Sequence, residues 1–540
     1  MHIEKVVIQN YKCFKSFFPL NLNPGINMIV GNNEVGKSTI LEAVHLALTG
    51  ILNGRYLRHE LSQYLFNVET SEKYIASLSS PAPLPPPEIC IEVFLGGGDL
   101  PLFEGDGNSD RRKACGVVYK VIFDTEYQPQ YEALLNTGKV TTIPIEYYTT
   151  SWKSFARQPI TAQSIPFKPV LIDSSARRYQ NGSDVYISRI INDELDDDEK
   201  VELAQAYRKM KEAFIQDSSV RKINEKIRKK SDVSGKSIEV SVDLATQRSW
   251  ETVLMTYFDK IPFHQIGQGE QCVVKTVLAL GHRKAEEANL IIMEEPENHL
   301  THTKMNELLK HVQDRCEPRQ VLVSTHSSFV ANKLGLEHLI LLRDGVSATL
   351  SDLDSATQKF FKRLAGYQTL RLLLCKKAIL VEGDSDELIV QKAYMTKHDG
   401  RLPIEDGIDV ISVGLTFDRF LKIAKLMKQP VAIVRDNDGD YENKVRQRYK
   451  EYDGIQHIQV FADKRDDLQT LEPQFVDANE MNLSTLRKAL ALKKSEYPDV
   501  NAVRGYMLKH KTQWALRVFE FDEDLSFPDY ILRAVRWCDG

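Results

Sequence analysis

Apolar and polar positions alternate through IEKVVIQNYKCF, turn, resume in FFPLNL, and end in the wholly apolar INMIV, so residues 3–30 predict a hairpin leading to a buried strand. A glycine-rich loop and the helical pattern STILEAVHLALT follow. SSPAPLPPP (79–87) cannot continue a helix and marks an exposed connection. EICIEVFL and GVVYKVIF read as strands. From 187 to 235 the chain turns to charged helix formers around NDELDDDEKVELAQAYRKMKEAFI, and strand-like sequence resumes at IEVSVDL. The acidic run at 193–199 reads as a helix start or a solvated face. Apolar strands recur at LIIM (290–293) and VLVST (321–325). After a join near 366–376 a new βα alternation begins with KAILVEG, IDVISVG and VAIVRD.

Composition narrows the picture. The chain has 540 residues, 42% of them hydrophobic and 27% charged, which is enough for several domains and a sizeable core. A net charge of −5 gives no bulk basic character, although local basic patches remain compatible with it. The cysteines at 13, 90, 115, 272, 316, 375 and 538 are scattered and form no CxxC pair, which argues for a reducing, cytoplasmic setting. No apolar run approaches the ~18 residues of a membrane span, so no membrane partner is expected.

GNNEVGKST (31–39) fits the phosphate-loop pattern in full, between a buried strand and a helix. The backbone N–H groups of Asn32, Asn33, Glu34, Gly36 and the helix start would face phosphates, Lys37 adds a charge, and Ser38 and Thr39 complete the motif. Ser38 can ligate Mg²⁺. LIIMEEPENHL then supplies the strand ending in acids: Glu294 for the Mg²⁺ shell and Glu295 as general base. His326, at the end of VLVST, is placed to touch a γ-phosphate. IGQGEQCVVKTVLAL (266–280) is a glycine-rich turn opening a helix, where Gly267 and Gly269 could cap a phosphate.

ILVEGDSDE (379–387) is an apolar strand that runs into a crowd of carboxylates. Glu382 ends the strand, Gly383 is read as a sharp turn, and Asp386 lies one helical turn on. VAIVRDNDGD places Asp436 and Asp438 at period-two spacing, read as one side of an extended strand end. Carboxylates so close lose charge unless a cation joins them, and Mg²⁺ or Mn²⁺ suits oxygen ligands. A calcium loop fails, because Tyr441 stands at its required glycine and Gln447 at its twelfth position. A solvated acidic turn and a phospho-acceptor aspartate fold are the other readings.

The phosphate loop, glycine-rich helix start, strand-EE and strand-end histidine resemble ATPases of the ABC and SMC group, although the usual serine of the signature is missing near Gly267. Strand-Glu-Gly followed about fifty residues later by strand-DxD resembles the Toprim domain. Together, GNNEVGKST, GQGEQ, MEEPE, STHSS, VEGDSDE, ISVG and RDNDGD in that order resemble the OLD (overcoming lysogenization defect) family of nucleases, which includes the Gabija nuclease subunit of anti-phage defence. The resemblance implies an α/β chain. An ABC/SMC-type P-loop ATPase domain (1–186 and 236–366) would carry a helical dimerisation insertion (187–235), and a C-terminal, Rossmann-like Toprim domain (375–540) would follow. It implies ATP with Mg²⁺, two divalent cations at the Toprim site, and double-stranded DNA as substrate. A homodimer or higher oligomer is implied as well, with a UvrD-like helicase as a further partner. Glu472 of TLEP joins Glu382, Asp386, Asp436 and Asp438 as a metal ligand by this likeness, and Lys511 of HKTQWAL joins Glu382 as a catalytic residue beside the scissile phosphate. The competing function is a non-catalytic, SMC- or RecF-like ATP-gated DNA clamp. Primase or topoisomerase chemistry is a third.

Overall fold

A computed structural model describes residues 1–172, 179–180, 183–184, 191, 195–228, 239–242, 255–281, 288–298, 300–316, 319–343, 345–363 and 367–539. The chain forms two compact units, Met1–Met28 with Ser38–Thr325, and Ile29–Lys37 with His326–Gly540. The second unit's long segment begins at His326, and a helix, Tyr367–Leu374, stands within the join that the sequence suggests near 366–376.

In the first unit the predicted hairpin is present. His2–Gln9 pairs antiparallel with Phe18–Asn21 on one side and with Ile89–Gly96 on the other. Ala114–Phe123 and Tyr148–Ser154 extend the antiparallel sheet. Val6, Val7 and Ile8 are all buried, so this strand is covered on both faces; Val7 packs with Phe94, Val118 and Phe155. A second sheet is parallel: Pro169–Ile172, Leu290–Glu294 and Gln320–Thr325 lie side by side. Apolar runs without alternation, such as LIIM, belong in such a sheet because both of its faces are buried.

The described part of the acidic run, 195–199, is a helix start. Asp196 caps Asp197–Gln216 by accepting from the Glu199 N–H while the Glu199 side chain accepts from the Asp196 N–H. Ser218–Arg228 forms a second helix. The strand expected at IEVSVDL is not found: 239–242 form no strand, and 238, 243 and 244 lie outside the described residues.

In the second unit, four parallel strands run in the order Ile408–Ser412, Lys377–Val381, Val431–Val434, Ile458–Phe461. The helices Asp384–Lys397 and Phe417–Met427 make the first two crossovers. The first returns the chain to one side of Lys377–Val381 and the second carries it to the other. Strand order therefore reverses between Lys377–Val381 and Val431–Val434, and the crevice beyond the carboxyl ends of strands at such a reversal is where open α/β sheets bind ligands. Ile379, Val381, Ile389, Val390, Phe475 and Trp514 are part of the core beneath it. The fourth strand, IQVF, was not legible; only Ile458 of its four residues is buried, too few to set an alternation.

Gln320, 1% exposed, ties the start of the chain to the parallel sheet of the first unit. Its Oε1 accepts from the Ile3 N–H at 2.7 Å, and its Nε2 donates to the carbonyls of Ile3 and Asn23 at 2.9 and 2.7 Å. Gln320→Ala leaves three backbone groups to lose these partners, and the expected cost is about 2–4 kcal/mol, read as a lower midpoint in denaturant unfolding.

Candidate metal and nucleotide sites

The acids are placed by the ends of the two strands that flank the reversal. Glu382 follows Val381, and its Oε1 lies 3.4 Å from the Arg435 guanidinium. Asp386 sits in the first turn of Asp384–Lys397 and its Oδ2 accepts from the Gly383 N–H at 3.1 Å, closing the helix start. Gly383 itself is extended, with φ −149°, and a Cβ there would meet only Asp386 at an ordinary 3.7 Å. The sharp turn read at this glycine is absent, because the Asp386 carboxylate, rather than a special backbone angle, organises the bend.

Asp436 and Asp438 also differ from the extended arrangement read in the sequence. The strand stops at Val434, and Asp438 and Gly439 both take left-handed angles, with φ of 50° and 76°. Asn437, fully buried, makes the turn. Its Nδ2 donates to the carbonyls of Asp463 and Arg465 at 3.0 and 2.8 Å, and its Oδ1 accepts from the Gly439 N–H at 2.8 Å. Asp438 is consequently exposed while Asp436 points inward. Glu472, 4% exposed on the helix Leu471–Ala478, accepts from the Thr470 hydroxyl at 2.8 Å.

These five carboxylates share one electrostatic neighbourhood. Burial pushes Asp436 up to about 9, and Asp386, Glu382, Glu472 and Asp438 push the same way. Asp386 rises to about 7 through burial first, then the charges of Glu382 and Glu472. Glu382 is raised by burial against the opposing pull of Arg435. Asp436 Oδ1 and Glu382 Oε1 are buried acceptors that no donor satisfies. Among the described residues, no three His, Cys, Asp or Glu side chains converge closely enough to hold an ion as they stand. Electrostatic reach is longer than ligating reach, and several of the acids are engaged elsewhere: Glu382 and Asp438 at Arg435, Asp386 at Gly383, Glu472 at Thr470. The donor set still fits a hard divalent cation, since it is all carboxylate and leaves Asp436 Oδ1 buried without a hydrogen-bond partner.

Sequence reading missed Arg435. It is 2% exposed and flanked by the rings of Phe417 and Tyr449, each 5.9 Å away. An arginine standing between a buried strand and a pair of aspartates was the available signal. Tyr530, 2% exposed, was also missed; its hydroxyl donates to Gln474 at 2.7 Å, and burial and the same acids hold it neutral. Lys511 is exposed at the start of the helix Lys511–Glu520 and is not among the main charges acting on Glu382, Asp386 or Asp436.

The phosphate loop has its own geometry. A Cβ on Gly31 would lie 2.3 Å from the Leu342 carbonyl, and Glu34 and Gly36 take positive φ of 67° and 102°. Lys37 is buried, with Nζ donating to the carbonyls of Gly31 and Asn32 at 3.0 and 2.8 Å. The helix Lys37–Thr49 carries no acid in its first turn, which leaves its positive end unopposed for an anion. Asn33 and Ser38 are exposed; Asn32 and Thr39 are half-buried, and the Cys13 thiol lies 3.7 Å from the Thr39 hydroxyl. That motif fits a nucleotide phosphate chain. In the first unit, Glu294 ends its strand, and Glu295, with φ of 40°, donates its N–H to the Ser324 carbonyl and accepts from Asn298. Gly267 directly precedes the helix Gln268–Gly281, and Gly269 lies in its first turn. His326 follows the strand Gln320–Thr325.

The loop and the acid crevice define a P-loop ATPase joined to a Toprim domain. Residues 5–261 match the family model described as an AAA domain, and residues 373–438 match that of the overcoming lysogenization defect protein-like TOPRIM domain. The chain thus joins a region similar to an AAA-type ATPase domain to one similar to the TOPRIM domain of overcoming lysogenization defect proteins. Among solved structures it is similar to the SMC head domain from Thermotoga maritima, at 15% identity and TM-score 0.30 over 64% of this chain and 98% of that one. It is also similar to the C-terminal region of the Burkholderia pseudomallei OLD protein, at 19% identity and TM-score 0.24 over 31% of this chain and 98% of that one. The corresponding region of the Xanthomonas campestris pv. campestris protein gives 20% and 0.24 over 30% and 91%. Likenesses this distant leave function to the residues. Among the described residues no helix is long and apolar enough to cross a membrane.

Raised carboxylates have a thermodynamic signature. An unfolded aspartate releases its proton near pH 4. The folded chain keeps the proton on Asp436 until about pH 9, so folding binds protons between those values and stability falls as pH rises. With a chelator present, the melting temperature is expected to drop from pH 5 to pH 9, and Asp436→Asn to flatten that slope.

Proposed function

We propose that this protein is a divalent-metal-dependent DNA endonuclease whose cutting is regulated by a nucleotide. The observation that carries the reading is the buried Asp436 Oδ1, which has no hydrogen-bond partner, beside Glu382, at the carboxyl edge where strand order reverses. Glu382, Asp386, Asp436, Asp438 and Glu472 would hold two ions of the Mg²⁺ or Mn²⁺ kind. Such ions, when bound, supply an activated water and charge stabilisation for in-line phosphodiester hydrolysis. The chain's part is to gather the carboxylates, release the protons on Asp386 and Asp436, and orient DNA. Lys444, Arg446, Arg448 and Lys450 are exposed on the segment directly after the acidic turn, which suits a polyanionic backbone. Lys511 would neutralise charge at the scissile phosphate once DNA is seated. Tyr530 is an unpromising nucleophile for strand passage, since its hydroxyl is buried and engaged by Gln474.

At the loop, phosphates would displace the neutral carbonyls that Lys37 now contacts. Asn32, Asn33, Glu34, Gly36, Ser38 and Thr39 would line ATP, with Ser38 and Glu294 on its Mg²⁺, Glu295 as base and His326 at the γ-phosphate. Gly267 and Gly269 would act across a homodimer to which the helices at 197–228 contribute. Regulated cutting of double-stranded DNA suits anti-phage defence in the cytoplasm, with a UvrD-like helicase as a partner. A DNA clamp without catalysis is the second reading, favoured by the lack of any three converging acids among the described residues.

Plasmid relaxation separates them. With Mg²⁺ or Mn²⁺ the wild type is expected to nick supercoiled DNA, and Asp436→Ala to lose at least about 100-fold, more than an outer-shell partner costs. No nicking by wild type under any metal and nucleotide supports the clamp. Lys37→Ala is expected to abolish the response to ATP, and identical nicking by both proteins with and without ATP removes regulation.

A further inference from the structure

Arg435 enters the site with more contacts than its sequence position suggests. Its Nε donates to the Asp436 carbonyl at 2.9 Å and Nη1 to the Tyr449 hydroxyl at 3.2 Å. Nη2 donates to Asp438 Oδ2 at 3.1 Å and lies 3.4 Å from Glu382 Oε1. The rings of Phe417 and Tyr449 flank it, and only 2% of its surface reaches solvent. Such a guanidinium neither loses its charge nor swings away as a lysine can. One nitrogen therefore bridges the acid after one strand and the second acid of the turn after another. Asp386, Asp436 and Glu472 have no contact of this kind; the partners they do have are a backbone N–H for Asp386 and a hydroxyl for Glu472. The five acids thus fall into two groups.

We propose that Arg435 is a resident cation of the acid site, a positioning residue that divides it into unequal ion sites. Asp386, Asp436 and Glu472 form the tight site. Glu382 and Asp438 form the weak one, because an ion there shares its ligands with a fixed positive charge. The weak site fills fully only when another anion, a DNA phosphate, adds negative charge beside it. This rests on the metal-dependent reading above and goes beyond it by ranking the ligands and by giving DNA a role in completing the site.

Mn²⁺ titration of the full chain without nucleotide, followed by electron paramagnetic resonance of free Mn²⁺, tests it without recourse to activity. The double variant Asp436→Ala with Asp438→Asn serves as the control for ions held elsewhere. The wild type is expected to show two classes of ion at least about tenfold apart in affinity, as a unit charge a few ångströms away from one site implies. Arg435→Gln is expected to tighten the weaker class toward the stronger, whereas Arg435→Lys keeps the charge and leaves it weak. Asp438→Asn is expected to remove the weaker class alone, a result that does not depend on whether Arg435→Gln folds. A short double-stranded oligonucleotide is expected to tighten the weaker class in the wild type. A single uniform class in the wild type, or equal loss of both classes in Asp438→Asn, overturns the proposal. Weaker Mn²⁺ binding at that class in a folded Arg435→Gln does the same. No difference at all between wild type and the double variant instead sinks the metal-dependent reading itself.

Discussion

Mutual repulsion among carboxylates governs the C-terminal half of this chain. Parallel strands that stop side by side deliver their following residues to one crevice, and here those residues are acids. A fold that buries like charges has few remedies: it can protonate them, bring in a cation from solvent, or build a cation into the chain. The structure uses the first and the third. Asp436 and Asp386 keep their protons toward neutral pH and beyond, while Arg435 stands among Glu382 and Asp438. The second remedy is the one the chemistry of the site invites, and it competes with both of the others.

This also explains how much of the site was readable from sequence. Apolar strands buried on both faces announce themselves as short runs, so KAILV, IDVIS and VAIV were visible, and so were the acids after them. The parallel order that brings Glu382 and Asp436 together follows from the handedness and spacing of the crossovers. What sequence spacing could not supply was the shape of the turn. Period two predicts one face only while the backbone stays extended, and Asn437 ends that condition by binding two carbonyls of the 463–465 loop. Those partners lie more than twenty residues away and carry no local signal. Gly383 shows the converse: a glycine invites a conformational explanation, yet its φ is one that any residue adopts.

In the first unit, legibility stopped at different places for different reasons. The hairpin at 2–21 could be read because Phe18–Asn21 alternates and the two strands lie close in sequence. The pairing of His2–Gln9 with Ile89–Gly96 spans some eighty residues, and its buried Val6–Val7–Ile8 run could as well have been read as a central parallel strand. Gln320 is the plainest gap. A lone glutamine before VLVST is unremarkable in sequence, and only the folded chain shows it standing in for a strand partner to Ile3.

The two lysine- and arginine-bearing sites answer opposite problems with different side chains. At the phosphate loop Lys37 rests on the carbonyls of Gly31 and Asn32, neutral acceptors that hold an ammonium weakly enough for a phosphate to take it over. A flexible, compact charge serves there, because its partner must change with every nucleotide bound and released. At the acid crevice Arg435 is walled by aromatic rings and bonded to groups of its own chain, so its position is set before any ligand arrives. A rigid, permanent charge serves there, because the carboxylates around it must be held apart until something of opposite sign joins them. Exchanging the two residue types would therefore damage both sites for different reasons: an arginine in the loop is too broad and planar to fold back on Gly31, and a lysine in the crevice lacks the planar fork that touches a carbonyl, a hydroxyl and two carboxylates at once.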